Sequence, residues 1–148
     1  MTESERLPFS VTLEVRDACL CLHVRRASRA LARRYDEALR SSGLTNGQFS
    51  LMMALNRPKP PRLQDVADLL AMDRTTLTAN LKPLERRGLV TSHADEADRR
   101  ARLLVLTEAG RATLADAMPA WRRAQAETAK LIGRSDPDAF CADLKALS

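Results

Sequence analysis

Three stretches of this 148-residue chain carry side chains whose types and spacing could do chemistry. The first, CLCLHVRRASRALARRY over residues 19–35, places Cys19, Cys21 and His23 at alternate positions. That spacing invites a metal ion, but on a helix positions i and i+2 point about 200° apart. The three groups do not converge there, and no metal site is expected. The second, MDRTTLTANLKPLERRGLV over residues 72–90, sets threonines, an asparagine and cations around leucines at helical spacing. Arg74, Thr75, Thr76, Thr78 and Asn80 have the donors and acceptors that suit base edges and phosphate oxygens. Lys82, Arg86 and Arg87 add charge that would displace counterions from a polyanion. The third, ADEADRRA over residues 94–101, is a highly charged connection bearing Arg99 and Arg100, with Arg102 just beyond it.

These groups need a frame. Apolar residues make up 45% of the chain and aromatics only 3%, which favours a helical protein with one sizeable core. A long helix is expected from about Val15 to Ser41, with Leu20, Val24, Ala27, Leu31, Tyr35 and Ala38 on one stripe and Gly43 ending it. Thr45 and Gln48 form a capping box for a helix that is apolar nearly all round, and RPKPPR breaks it. Leu63, Val66, Ala67 and Leu70 make the stripe of the next helix. After a short turn Asp73 caps the helix of the second stretch, whose inner stripe is Leu77, Leu81 and Leu84. Pro83 should kink or tighten its last turn, and Gly88 suits its C-terminus. LVTSH and RLLVL read as a hairpin with the charged stretch at its tip. Thr107 caps another long helix to about Ile132, with a kink expected at Pro119. Asp136 and Pro137 start a last helix whose apolar stripe is Phe140, Leu144 and Leu147.

Two short helices joined by a tight turn and followed by a hairpin make a winged helix-turn-helix. In it Arg99, Arg100 and Arg102 lie where a wing would reach an adjacent minor groove. With 24 Lys plus Arg against 19 Asp plus Glu, the chain carries a formal +5, in keeping with a polyanionic partner.

On LQDVADLLAMDRTTLTANLKPLERRGLV and DRRARLLVLTEAG, in that order and at that spacing, the chain resembles the MarR family of transcriptional regulators over residues 16–147. The resemblance implies a mainly α fold with a small β-hairpin wing, the winged helix-turn-helix being joined to a helical dimerisation region made by the N- and C-terminal helices. The expected division is a flexible arm over 1–14, a dimerisation region over 15–44 and 107–148, and a DNA-binding lobe over 45–106. It implies a homodimer that binds double-stranded DNA at a palindromic operator, as a repressor released by an oxidant or by a small aromatic ligand. Arg74, Thr75, Thr76, Thr78, Asn80 and Lys82 carry over as the recognition residues, and Ala79 stands where many relatives have Arg. In the wing, Asp98 would aim Arg100 at DNA, beside Arg99.

The first helix is similar to the hydroperoxide-sensing branch of that family. Cys21 falls on the reactive thiol and Tyr35 on one of two supporting tyrosines, while Arg25 replaces the other. Arg25, four residues on over the same face, can favour the thiolate by its charge. Tyr35 lies some ~21 Å along the helix from Cys21, so it could reach a thiol only across a dimer. Cys141 is a candidate resolving thiol. The alternatives are a Cys21 that merely packs as a small hydrophobe, and a winged helix that docks a protein and never meets DNA.

No Gly-rich phosphate loop and no nucleophile with an evident base is present, so neither an enzyme nor a cofactor is expected. MTESERLPFS does not read as a signal peptide, and no apolar run of about 18 residues could span a membrane. Three cysteines fit a reducing compartment. A cytoplasmic protein is expected.

Overall fold

A computed structural model describes residues 6–133 and 136–148. The helices are α1 (Phe9–Ala18), α2 (Leu20–Leu39), α3 (Asn46–Leu55), α4 (Leu63–Leu69), α5 (Arg74–Arg86), α6 (Glu108–Ala129) and α7 (Pro137–Ala146). Strands β1 (Val90–Ala94) and β2 (Arg102–Leu106) lie between α5 and α6. The chain divides into two compact units, Met1–Arg34 and Tyr35–Ser148.

The first unit departs from expectation. Part of the arm expected over 1–14 is helical from Phe9, and residues 1–5 lie outside the described part. Pro8, with φ −62 and ψ 145, provides the extended residue from which a helix can start. The long helix expected from Val15 is interrupted at Cys19, whose ψ of 108 is extended. Cys19 still donates its N–H to the Val15 carbonyl at 3.0 Å and accepts from the His23 N–H at 3.1 Å, and the His23 ring Nε2 sits 3.1 Å from the Asp17 carbonyl. No Pro or Gly marks this break.

The second unit follows the local signals closely. A 3₁₀ turn (Arg40–Ser42) closes α2 and Gly43 leaves it at φ +67. Thr45 and Gln48 make the reciprocal cap of α3. Asp73, Thr107 and Asp136 each accept an N–H from the first turn of the helix they precede. At the end of α5, Gly88 (φ +68) donates to the Glu85 carbonyl and Leu89 to the Leu84 carbonyl, the paired bonds of a Schellman ending. The turn between α4 and α5 closes in the same way, Ala71 donating to Asp68 and Met72 to Ala67, but with alanine in the left-handed region at φ +49. A Cβ there costs roughly 1 kcal/mol.

One core joins these pieces. Leu39, Met52, Val66, Ala67, Leu77, Leu84, Leu104 and Ala117 are fully buried. The antiparallel hairpin pairs Val90 with Leu106 and Ala94 with Arg102. A backbone bridge between Arg62 and Leu103, together with a 3.0 Å bond from the Leu104 N–H to the Pro61 carbonyl, adds the loop before α4 to its outer edge. Residues 107–148 share a compact unit with the winged lobe. Trp121 of α6 stacks on Phe49 of α3 with ring centroids 6.1 Å apart. Pro83 and Pro119 both lie inside continuous helices.

Candidate nucleic-acid interface

α5 turns Leu77, Leu81 and Leu84 into the core, and this fixes which side faces out. Arg74, Thr75, Thr78, Ala79 and Lys82 line one shallow groove on that outer side. They span about 140° of the helix circumference at 100° per residue. Two expected members turn elsewhere. The Thr76 hydroxyl donates to the Asp73 carboxylate at 2.8 Å, completing the cap, and the Asn80 amide donates to the Met72 sulfur at 3.6 Å. Residues 76 and 80 are four apart, so they share a flank rather than the face of Arg74 and Lys82. Thr78 lies on the outer face, with its hydroxyl proton on the Arg74 carbonyl at 2.8 Å. With its proton placed there, its oxygen is left as an acceptor. The Asp73 carboxyl is held below the usual carboxylate range by the Thr76 backbone N–H and then by the Thr76 hydroxyl.

The wing tip is built from two short aspartate turns. One Asp95 oxygen accepts the Ala97 N–H at 3.0 Å, and Asp98 accepts the Arg100 N–H at 3.1 Å. The same Asp98 oxygen is 3.5 Å from Arg100 Nε, whose side chain is 95% exposed. Arg100 is thus tethered at its root and open at its head. Arg99 is exposed beside it. Arg102, on β2, donates to the Ser92 hydroxyl at 2.6 Å, and Ser92 donates to Glu85 at 2.8 Å. That chain fastens the hairpin to the end of α5.

The thiol residues separate into two groups. Cys19, Cys21, Leu22, Arg25 and Arg29 line one surface groove on the first unit. Cys141 is exposed on α7. Tyr35 donates its hydroxyl proton to Gln125 of α6 at 2.5 Å. To support a thiolate, a tyrosine must donate its proton to sulfur, and here that proton is already placed. Among the described residues no three His, Cys, Asp or Glu side chains gather as a metal site, and no helix is long and apolar enough to cross a membrane.

The sequence reading missed Arg62 and Asp95, which lie 2.8 Å apart where β1 runs into the wing tip. Only the charged tip hinted at Asp95; nothing local marks Arg62 as its partner.

The sequence profile of the MarR family matches residues 44–101, from the end of α2's cap to the wing tip. A transcriptional regulator of M. tuberculosis, MosR, solved in complex with DNA, is 40% identical, with a TM-score of 0.78 over 87% of this chain and 92% of that one. The chain belongs to the MarR family. Two curated relatives are the transcriptional activatory protein BadR of Rhodopseudomonas palustris, 39% identical over 50% of this chain, and an organic hydroperoxide resistance transcriptional regulator of Bacillus subtilis, 31% identical over 62%. The aligned part spans 44% of the former and 62% of the latter.

Proposed function

We propose that this MarR-family protein is a sequence-specific DNA-binding transcriptional regulator, acting as a homodimer in the cytoplasm, with no enzymatic activity of its own. The observation that carries this is the single outer face of α5, Arg74–Thr75–Thr78–Ala79–Lys82, followed directly by a hairpin that exposes Arg100 at its tip. A helix of that kind fits the major groove and a hairpin of that kind fits the flanking minor groove. Arg74 and Lys82 lie eight residues apart, about 12 Å along the helix, so both ends of the face can reach phosphate or base. The similarity to a regulator solved on DNA supports the same reading. Arg74, Thr75, Thr78, Lys82, Arg99 and Arg100 are the contacts, Asp98 orients Arg100, and Thr76 and Asn80 shape the turn behind them. Two subunits would place two such helices on half-sites of a palindromic operator, about one helical turn apart.

The test is fluorescence-anisotropy titration of DNA from upstream of its own gene, against a scrambled duplex, across a range of salt. Tight, sequence-dependent binding that falls steeply with salt is the expected result. Weak binding with no preference and little salt dependence would favour a module that docks a protein instead.

Release by an oxidant is a second element, favoured by the groove that brings Cys21 beside Arg25 and by the likeness to the hydroperoxide resistance regulator. Cys21 would be oxidised there, with Cys141 as resolving thiol, and the protein would act as a repressor until then. A small aromatic ligand is the other release signal.

A further inference from the structure

Arg62 connects three parts of the winged lobe through one residue. Its carbonyl accepts the Val66 N–H at 3.2 Å and its N–H donates to Asp65 at 3.3 Å, which starts α4. Its backbone bridges to Leu103 on β2. Its guanidinium Nη2 donates to Asp95 Oδ2 at 2.8 Å, at the foot of the wing tip. Asp95 is only 13% exposed in its side chain, against 47% for Arg62. The Asp95 N–H also donates to the Ala101 carbonyl at 2.9 Å, and the Ala101 N–H returns to the Asp98 carbonyl at 2.9 Å. A continuous run of bonds therefore leads from the start of the helix-turn-helix, through Asp95 and Ala101, to the aspartate that tethers Arg100.

We infer that Arg62 and Asp95 are a pair of positioning residues, a charged clasp that fixes the wing, and with it Arg100, relative to the helix-turn-helix. The inference rests on the DNA-binding reading above. A two-stranded hairpin on its own is marginally stable, and ordering its tip at the moment of binding would subtract from affinity. The clasp does that ordering in the free protein. It also explains an acid on a surface meant for phosphates: the carboxylate is neutralised by its partner in place.

The sign of one substitution decides the matter. Asp95→Asn removes a negative charge beside bound DNA, so electrostatics alone calls for tighter binding. Asparagine keeps the oxygen that accepts the Ala97 N–H, so the turn survives and only the ion pair is lost. The clasp demands the opposite, a weakening of about fivefold or more, the lower end of what a single wing arginine supplies. The salt slope should also fall by about one for each wing arginine that leaves the DNA. Arg62→Met should give the same loss, Arg62→Lys should recover much of it, and the Arg62→Met/Asp95→Asn double variant should be no worse than either single one. In the DNA-free protein, amide hydrogens of residues 95–103 should exchange about tenfold faster in Asp95→Asn, with helix content unchanged.

An Asp95→Asn protein that binds operator as tightly as wild type or tighter overturns the inference. A loss in Arg62→Met without one in Asp95→Asn does so too, and identifies Arg62 as a direct phosphate contact. If wild type binds no DNA, the functional reading fails by itself, and unchanged exchange in the wing would then overturn the clasp separately.

Discussion

Replacing Gly110 with alanine sets a helix preference against a close approach. Gly110 is in the first turn of α6, where its N–H is capped by the Thr107 hydroxyl at 3.0 Å. Alanine there would gain about 0.8–1 kcal/mol of helix propensity. Its Cβ, however, would stand 2.2 Å from the Leu89 carbonyl oxygen and 2.9 Å from Leu106 Cδ1. An ordinary contact needs more than about 1 Å of extra room. Neither neighbour has it to give. The Leu89 carbonyl accepts the Thr107 N–H at 3.1 Å, the Thr107 hydroxyl donates to the neighbouring Gly88 carbonyl at 2.7 Å, and Leu106 is buried and paired with Val90 across the hairpin. Overpacking costs about 1–3 kcal/mol and each disturbed hydrogen bond about 1 kcal/mol. The net after the helix gain is a destabilisation of about 1–4 kcal/mol. At about 2–4 °C per kcal/mol for a chain of this size, Tm should drop by roughly 2–16 °C. Thermal unfolding followed by circular dichroism measures this, at one fixed concentration because association shifts the midpoint. Gly47→Ala is the control: a Cβ there meets nothing within 4 Å, so that variant should melt at or slightly above wild type. A Gly110→Ala protein as stable as wild type would refute the close seating of α6 on the hairpin.

Arg100→Ala should weaken operator binding by about 1–3 kcal/mol while leaving the fold intact, since the side chain is tethered only at its root; unchanged affinity at fixed salt would remove the wing from the interface. Thr75→Ala, on the outer face of α5, should shift sequence preference more than affinity for random DNA, whereas Thr76→Ala should lower stability through the cap it shares with Asp73; equal losses of Thr75→Ala on both DNAs would make it a backbone contact. Operator binding by wild type should fall after stoichiometric peroxide and that of Cys21→Ser should not; identical responses would leave Cys21 as a packing residue. Asp36 is held below the usual carboxylate range by the Asn46 backbone N–H and then its side-chain amide, and Asp95 by the Ala97 N–H with Arg62 adding to it. A depressed carboxyl contributes stability above its unfolded value, near 3.9, and loses it as pH falls through the folded value. Urea midpoints should therefore hold between pH 7 and 5 for these groups and fall below about pH 4. Asp36→Asn should flatten that fall, and an unaltered acid limb in that variant would count against the assignment.

What the sequence determined by itself is what is settled within about four residues. Thr45 with Gln48, Asp73, Thr107 and Asp136 start helices where expected, and Gly43 and Gly88 end them, because capping bonds join neighbours in the chain. The leucine spacing of α5 likewise fixed its inner stripe and hence Arg74, Thr75, Thr78 and Lys82 as an outer face. The wing's two strands were legible as the short runs LVTSH and RLLVL on either side of a charged tip, and Asp98 with Arg100 from their spacing in a family pattern. Tertiary structure decided what depends on partners remote in sequence. Asn80 turned to Met72, eight residues back across the turn between α4 and α5. The break at Cys19 and the left-handed Ala71 carry no Gly or Pro to announce them. Tyr35 reached Gln125, ninety residues away, Trp121 found Phe49, and Arg62 met Asp95 across thirty-three residues. Such pairs are selected by the path of the whole chain through space, and a local pattern holds no record of that path.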